Sequence, residues 1–437
     1  MKTLGLDIGT TTLCALVAQG DRILASRTVQ NRFSRPDPQP WAKLQDPVAV
    51  CEAAETLVLE LLDAFPDIQA IGVTGQQHGI VYLDASGSPV GPLFTWQDER
   101  GNLAFRPSSP ETYASRMSRT TGYPLASGYG AVTHWYNVRN GLVPDGAVVF
   151  CTIADYVAMR LAGKTEPLVN ATNAASIGAF DISQNRFDSS ALEGLGAGPF
   201  PLPGLTRDVL LGYTAKNIPV SVAIGDNQAS YLGATGGCED SFLINIGTGS
   251  QVSILTDMPA AYAGLDTRPF PKGGYLIVGA ALCGGRAYAL LENLFRQTVR
   301  MATGDEPACY EKMQALLQSQ PEPADCPKMR TTFAGTRADA SLRAEISGLG
   351  ISNMTPLHLI YSTLHGITDE LLGLFEGYVS ASGKRPKILF GAGNALRKNP
   401  VLCRIVSETF GYELHLSGIE EEAAFGAAVW ARGCKEE

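Results

Sequence analysis

One short pattern occurs twice, about half a chain apart. Leu6-Asp7-Ile8-Gly9-Thr10-Thr11-Thr12 and Ile244-Asn245-Ile246-Gly247-Thr248-Gly249-Ser250 each read as an apolar strand with a polar residue near its end, a Gly-Thr turn and a returning strand. A hairpin with Gly and Thr in its turn is common, but two at matching places in two halves imply a duplicated α/β fold. Length agrees, because 437 residues exceed the roughly 250–300 that one hydrophobic core serves. Two domains are therefore expected, at 1–237 and 238–437, and 45% hydrophobic residues are ample for two cores.

Between the halves, Ser221 to Gln251 reads as a strand ending at Gly225-Asp226, a small-residue helix start, and a second strand breaking at Gly247-Thr248. A carboxylate at a strand end can take a proton from an alcohol. A Gly/Thr turn after a strand offers N–H and hydroxyl donors to a phosphate. The pair suggests phosphoryl transfer to a hydroxyl, with Asp226 as the proton-accepting carboxylate.

Other segments carry weaker signals. Asp46 and Pro47 open a helix to about Ala64 as N-cap and first helical residue. Ala70 to Thr74 is a strand ending at Gly75-Gln76-Gln77-His78-Gly79, where Gln77 and His78, between glycines, suit a polyhydroxylated ligand. In Thr95 to Arg100, Trp96 can cover sugar C–H faces while Asp98 accepts hydroxyl protons, although an exposed helix start also explains the charges. His134 and Trp135 read as core, and Asn170 to Ser176 as a pocket lining or a plain turn. Tyr275 to Ala281 is a buried strand leading through Gly284-Gly285 into a helix, and residues 303–329 hold a helix and a loop without an assigned place. Phe333 to Arg337 is a loop over a nucleotide or a surface turn, and Glu420 to Trp430 is an Ala-rich helix built for close packing.

Several classes are disfavoured. Gly163-Lys164-Thr165 mimics the close of a P-loop, but Ala158 stands where its first glycine belongs and a helix precedes it. Gly391 and Gly393 lack the third glycine and the acidic partner of a dinucleotide fingerprint. A net charge of -9 argues against nucleic acid and anionic membrane as partners. The 9 scattered cysteines, with no C-x-x-C pair, fit buried thiols in a reducing cytosol, and neither a signal peptide nor a membrane span is evident.

The segments LGLDIGTTT, GVTGQQHG, TWQDER, AIGDNQASYLGA, INIGTGSQVS, GGYLIVGAALCGG and LFGAGNALRKNPVLCRIVSETFG stand in an order that resembles the FGGY family of carbohydrate kinases over nearly the whole chain. TWQDER, TIADYVAMRL and ATNAASIGAFD are most similar to its sedoheptulokinase branch. The resemblance implies two actin-like (ribonuclease H-like) α/β domains, each a mixed sheet flanked by helices, with sugar and ATP meeting in the cleft between them. It implies Asp226 as catalytic base and Asp7 with Asp226 on Mg²⁺ or its waters. Gln77, His78, Trp96, Asp98, Asp226 and Asn227 would lie near the sugar. Thr10, Thr11, Gly247 and Thr248 would lie near the phosphates, and Gly391, Ala392, Asn394 and Asn399 near the adenosine. Sedoheptulose is the leading acceptor, with xylulose, ribulose or another polyol as rivals and a non-catalytic actin-like sensor as the contrasting class. A cytoplasmic enzyme is expected, and a homodimer is compatible with it. The chain is shorter than many members, and Ala338 follows Gly335-Thr336-Arg337 where a Thr-Pro pair is usual, so the nucleotide lid is expected to differ.

Overall fold

The computed structural model describes residues 1–258, 264–336, 339 and 341–435, which form two compact units. The first comprises Met1–Gly237, Arg268–Gly274 and Glu421–Glu437, and the second Cys238–Thr267 and Tyr275–Glu420. The division thus follows a cut after Gly237, except that the chain returns twice to the first unit.

In the first unit, strands β1 (Lys2–Ile8), β2 (Thr12–Gln19) and β3 (Arg22–Gln30) run as an antiparallel meander. Helix α1 (Pro47–Ala64) follows, its N-cap Asp46 accepting from the N–H groups of Val48 and Ala49. Strand β4 (Ala70–Gly75) lies parallel to β1. Helices α2 (Ile153–Leu161) and α3 (Ala171–Ile177) come next. Strands β5 (Leu210–Tyr213), β6 (Pro219–Ser221) and β7 (Ile224–Gly225) complete a 7-stranded sheet of order β5-β6-β4-β1-β2-β3, with β7 also paired to β4. Helix α4 (Asp226–Thr235) leaves directly from β7.

The second unit repeats the plan. Strands β8 (Ser241–Ile246), β9 (Ser250–Thr256) and β10 (Tyr275–Ala281) form an antiparallel meander. Helices α5 (Gly285–Thr303), α6 (Tyr310–Ser319) and α7 (Pro356–Ser382) follow. Strand β11 (Ile388–Ala392) lies parallel to β8; helix α8 (Pro400–Phe410) and strand β12 (Leu414–Leu416) come after it. The order β10-β9-β8-β11 has the same directions as β3-β2-β1-β4, so the sequence repeat is a repeat of topology. In both copies the polar residue sits one step before the turn, Asp7 opposite Cys14 and Asn245 opposite Gln251. Only the first copy carries an acid there. Buried apolar side chains fill the second unit's core, with Phe242 stacked on Phe375 at 4.4 Å.

The C-terminal helix Glu422–Trp430 belongs to the first unit, where small residues bring backbones almost into contact. A Cβ on Gly426 would lie 1.7 Å from the Ala229 carbonyl oxygen, and one on Gly5 1.8 Å from that of Ala424. The Trp430 indole N–H donates to the Val222 carbonyl at 3.0 Å. Close packing of this helix was expected from its composition; its place against α4 and β1 is long-range information. No helix is long and apolar enough to cross a membrane, and no disulfide forms among the described residues.

Candidate active site

Asp226 is the first residue of α4, set by the parallel pairing of Ile224 with Thr74 and of Gly225 with Gly75. The Thr74 hydroxyl donates to the Ile224 carbonyl at 2.8 Å. Behind this turn stands Thr172 of α3. Its hydroxyl accepts the Gly225 N–H at 3.1 Å, and its carbonyl accepts the Gln77 amide at 3.2 Å. A Cβ at position 225 would fall 1.9 Å from Gln77 Nε2, so only glycine lets the turn and that amide share the space. α3 is itself anchored. Asn170 caps it, and Asn173 Nδ2 donates at 2.9 Å to Asp155, whose carboxyl burial pushes up to about 7.

Burial also pushes the Asp226 carboxyl up, opposed first by the Arg268 guanidinium and then by the Asn227 backbone N–H and side-chain amide, which donate to Oδ1 at 2.7 and 2.9 Å. Asp7 rises to about 7, from burial first and then from the negative charges of Asp226 and Glu421. Glu421 was not singled out from the sequence, because it reads as one of three consecutive glutamates at a helix start.

The strand break after β4 behaves as its glycines suggest. His78 has φ of +70°, rare for a residue with a Cβ. It is held there by Nδ1 on the Ser176 carbonyl at 2.8 Å and by its ring against Tyr129 at 4.3 Å. Gln76 and Gln77 are buried, at 4% exposure each. The Gln76 amide donates to Gln45 at 3.0 Å, and Gln76 Oε1 accepts from the Thr10 hydroxyl at 3.3 Å. Trp96, 46% exposed, donates its indole N–H to that same hydroxyl at 2.8 Å. Trp96 thereby spans from the strand-break cluster to the first Gly-Thr turn, while Thr11 is exposed beside it. The buried Gln77 Oε1, Gln228 Oε1 and Asn173 Oδ1 have no donor. Two of them, on Gln77 and Gln228, flank the Gly225 turn and would welcome hydroxyl donors.

Asp98 corrects an expectation. Its Oδ1 accepts from Arg100 N (3.1 Å) and Nε (2.6 Å), and its Oδ2 from Lys43 N (3.1 Å) and Arg100 Nη2 (3.0 Å). All of the roughly four acceptor positions of a carboxylate are taken, and the residue is 1% exposed. It braces the loop instead of facing a sugar, and Arg100 in turn lies over Phe94 at 4.3 Å. Asn170 to Ser176 is likewise neither turn nor bare lining: it caps and forms α3, because Asn170 satisfies the Thr172 N–H.

The second unit holds a separate cleft of about 970 Å³. One end is the second Gly-Thr turn, where the Gly247 and Thr248 carbonyls accept the Gly285 and Arg286 N–H groups at 2.8 and 2.9 Å, tying the turn to the start of α5. Asn394 and Asn399 also line the cleft, Asn399 capping α8. Gly391 and Ala392, expected at the ligand, are buried within β11, where a Cβ on Gly391 would strike Leu414 Cδ1 at 2.8 Å. The glycine that shapes this rim is Gly393, with φ of +93° and the Ile246 carbonyl oxygen 2.5 Å from where a Cβ would sit. Sequence reasoning missed the wall formed by Tyr288 of α5 and by Tyr310 and Gln314 of α6. Of the anticipated lid, Phe333 and Ala334 form an exposed turn, Gly335 is buried and Thr336 half-buried, and Arg337 and Ala338 lie outside the described residues.

Comparison with known proteins bears on both units. The family model for the N-terminal domain of the FGGY family of carbohydrate kinases matches residues 2–233, and that for its C-terminal domain residues 242–432. The sedoheptulokinase of Mus musculus is 28% identical over 98% of this chain and 96% of its own length. The glycerol kinase of Aquifex aeolicus is also 28% identical, over 97% of this chain and 88% of its own. Among solved structures, a xyloylose kinase from Brucella ovis superposes with a TM-score of 0.83 at 20% identity, covering 100% of this chain and 91% of the other. The glycerol kinase of Plasmodium falciparum with ADP gives a TM-score of 0.80 at 18% identity, covering 98% and 88%.

Proposed function

The chain belongs to the FGGY family of carbohydrate kinases and is an ATP-dependent sugar phosphotransferase, and we propose that it phosphorylates a ketose, sedoheptulose, at its terminal hydroxyl with Asp226 as general base. The observation that carries the reading is Asp226 at a strand end, its turn fixed by Thr172, beside the unpaired acceptors Gln77 Oε1 and Gln228 Oε1. Such acceptors suit a ligand made of hydroxyl donors. The choice of a seven-carbon ketose follows the mouse relative, a sedoheptulokinase.

Phosphoryl transfer needs little covalent work from the protein, only an aligned alcohol and stabilised phosphate oxygens. Gln77, His78 and Trp96 hold the sugar, and Thr172 holds both Gln77 and the turn before the base. Asp226 orients the alcohol and accepts its proton as the new P–O bond forms, with Asn227 supporting the carboxylate. The turn at Thr10 and Thr11 and the turn at Gly247 and Thr248, in each of which the second residue is exposed, offer donors to phosphate oxygens, while Asn394 and Asn399 meet the nucleoside. Asp7, crowded by Asp226 and Glu421, presents negative charge that a divalent cation relieves. Among the described residues no cluster of three or more ligating side chains surrounds one point, as suits Mg²⁺, which keeps water and phosphate oxygens in its shell. When bound, Mg²⁺ supplies charge neutralisation at the phosphates.

The test is a coupled ADP-release assay across ketoses of five to seven carbons and glycerol, with Asp226→Asn alongside. Release with sedoheptulose, and a loss of about 10²–10⁴-fold in kcat for the variant with sugar binding retained, is the expected result. Release only with a pentulose or glycerol replaces the substrate, sugar binding without release points to a sensor, and near-wild-type turnover by Asp226→Asn removes the base.

A further inference from the structure

Tyr288 lies on the first turn of α5, three residues beyond Gly285, whose N–H is bonded to the Gly247 carbonyl. It lines the cleft of the second unit, and its hydroxyl oxygen is buried with no hydrogen-bond partner. Burial pushes its phenol up to about 12, so the group is a neutral donor throughout the working range. The ring is backed by Tyr310 of α6, near-parallel at 27° with centroids 6.3 Å apart. Glu311, Gln314 and Gln318 follow on the same helix and line the same cleft.

A buried hydroxyl without a partner costs stability unless something else supplies the missing bond. The rest of the wall also suits a flat, polar heterocycle: an aromatic pair edged by carboxamides and a carboxylate. Gly285 and Arg286, at the start of α5, are bonded to the phosphate-facing turn, and Tyr288 stands beyond them along the helix, so the nucleoside portion is the counterpart assigned to this wall. We infer that Tyr288 is a nucleotide-reading residue, its hydroxyl donating to an acceptor of the base or ribose, with the α5–α6 wall setting the preference for the nucleoside. This deepens the assignment of the cleft to ATP and rests on it.

Two readouts on Tyr288→Phe separate reading from scaffolding. A tyrosine whose hydroxyl supports the fold would lose stability as phenylalanine. One whose hydroxyl awaits a ligand would keep or gain stability without nucleotide and lose affinity with it. The expected result is an unliganded Tm equal to or above wild type, a fall of about five- to tenfold in ADP affinity by calorimetry, a matching rise in KM for ATP, and an unchanged KM for the sugar. Affinity for ADP within twofold of wild type, or a Tm lowered by several degrees, overturns the inference. Asn394→Ala serves as the control for the parent reading. If it and Tyr288→Phe both leave ADP binding intact, the nucleotide lies elsewhere; if only Tyr288→Phe does, the cleft stands and the role of Tyr288 falls.

Discussion

Thr172→Val isolates what holds the turn before Asp226, the proposed base. Valine keeps the shape of threonine and its buried methyl, and the carbonyl that accepts from Gln77 is untouched. What disappears is the acceptor 3.1 Å from the Gly225 N–H, at a position 1% exposed. Leaving one buried donor unpaired costs about 1–3 kcal/mol. At about 2–4 °C per kcal/mol for a domain of this general size, the melting point should fall by roughly 2–12 °C. The kinetic effect should be larger than that loss suggests. Gly225 immediately precedes Asp226, and misplacing a reacting group by about 1 Å can cost about 10²-fold. The expected outcome in the coupled assay is a kcat reduced by about 10–100-fold with a smaller change in sugar KM. Thr172→Ser, which keeps the hydroxyl and loses only a methyl, should recover most of the rate. If Val and Ser variants lose kcat alike, the methyl packing matters and the hydrogen bond does not. If Val melts early yet turns over normally, Thr172 supports the fold without positioning the base.

Two further outcomes follow from groups outside the reacting centre. Asp98→Asn should destabilise by about 3–5 kcal/mol, since a buried Arg100 loses its charge partner, while the sugar KM of the folded fraction stays near wild type; a selective rise in KM without a drop in Tm would restore Asp98 to the sugar site. His134, 3% exposed, is held neutral by burial with its pKa lowered to about 4, so the unfolded chain takes up its proton first as pH falls. It should therefore remove about 3 kcal/mol of stability between roughly pH 6.5 and 4, and His134→Phe should flatten the fall of Tm over that window relative to wild type; parallel pH profiles would count against it.

Local signals carried well. The Asp46-Pro47 start of α1, the two hairpins, the break at Gly75 to Gly79 and the strand-to-helix turn at Asp226 are each written in neighbouring residues, because caps, turns and alternation are short-range chemistry. Asp98 was misjudged because a carboxylate beside a tryptophan looks the same in a sequence whether its lone pairs are empty or filled. Lys43, which fills one of them, is 55 residues away. Gly391 and Ala392 were placed at the ligand although the sheet buries them, and Tyr288, Tyr310 and Gln314 were passed over because neither the helix after Gly285 nor the one within residues 303–329 shows in its sequence which wall it forms.

The sequence by itself determined that two similar α/β units exist, that each has a Gly-Thr turn after its first strand, and that an acid closes a strand in the first. These follow from backbone preferences and a repeated pattern, both readable within a few residues. Only the tertiary structure decided that Thr172 grips the turn of Asp226, that the C-terminal helix packs back into the first unit through glycines 5, 233 and 426, and that Glu421 adds its charge to that of Asp7. Each of these joins residues far apart in the chain, and such a partnership is set by which surfaces bury together, a quantity that no local window of sequence contains.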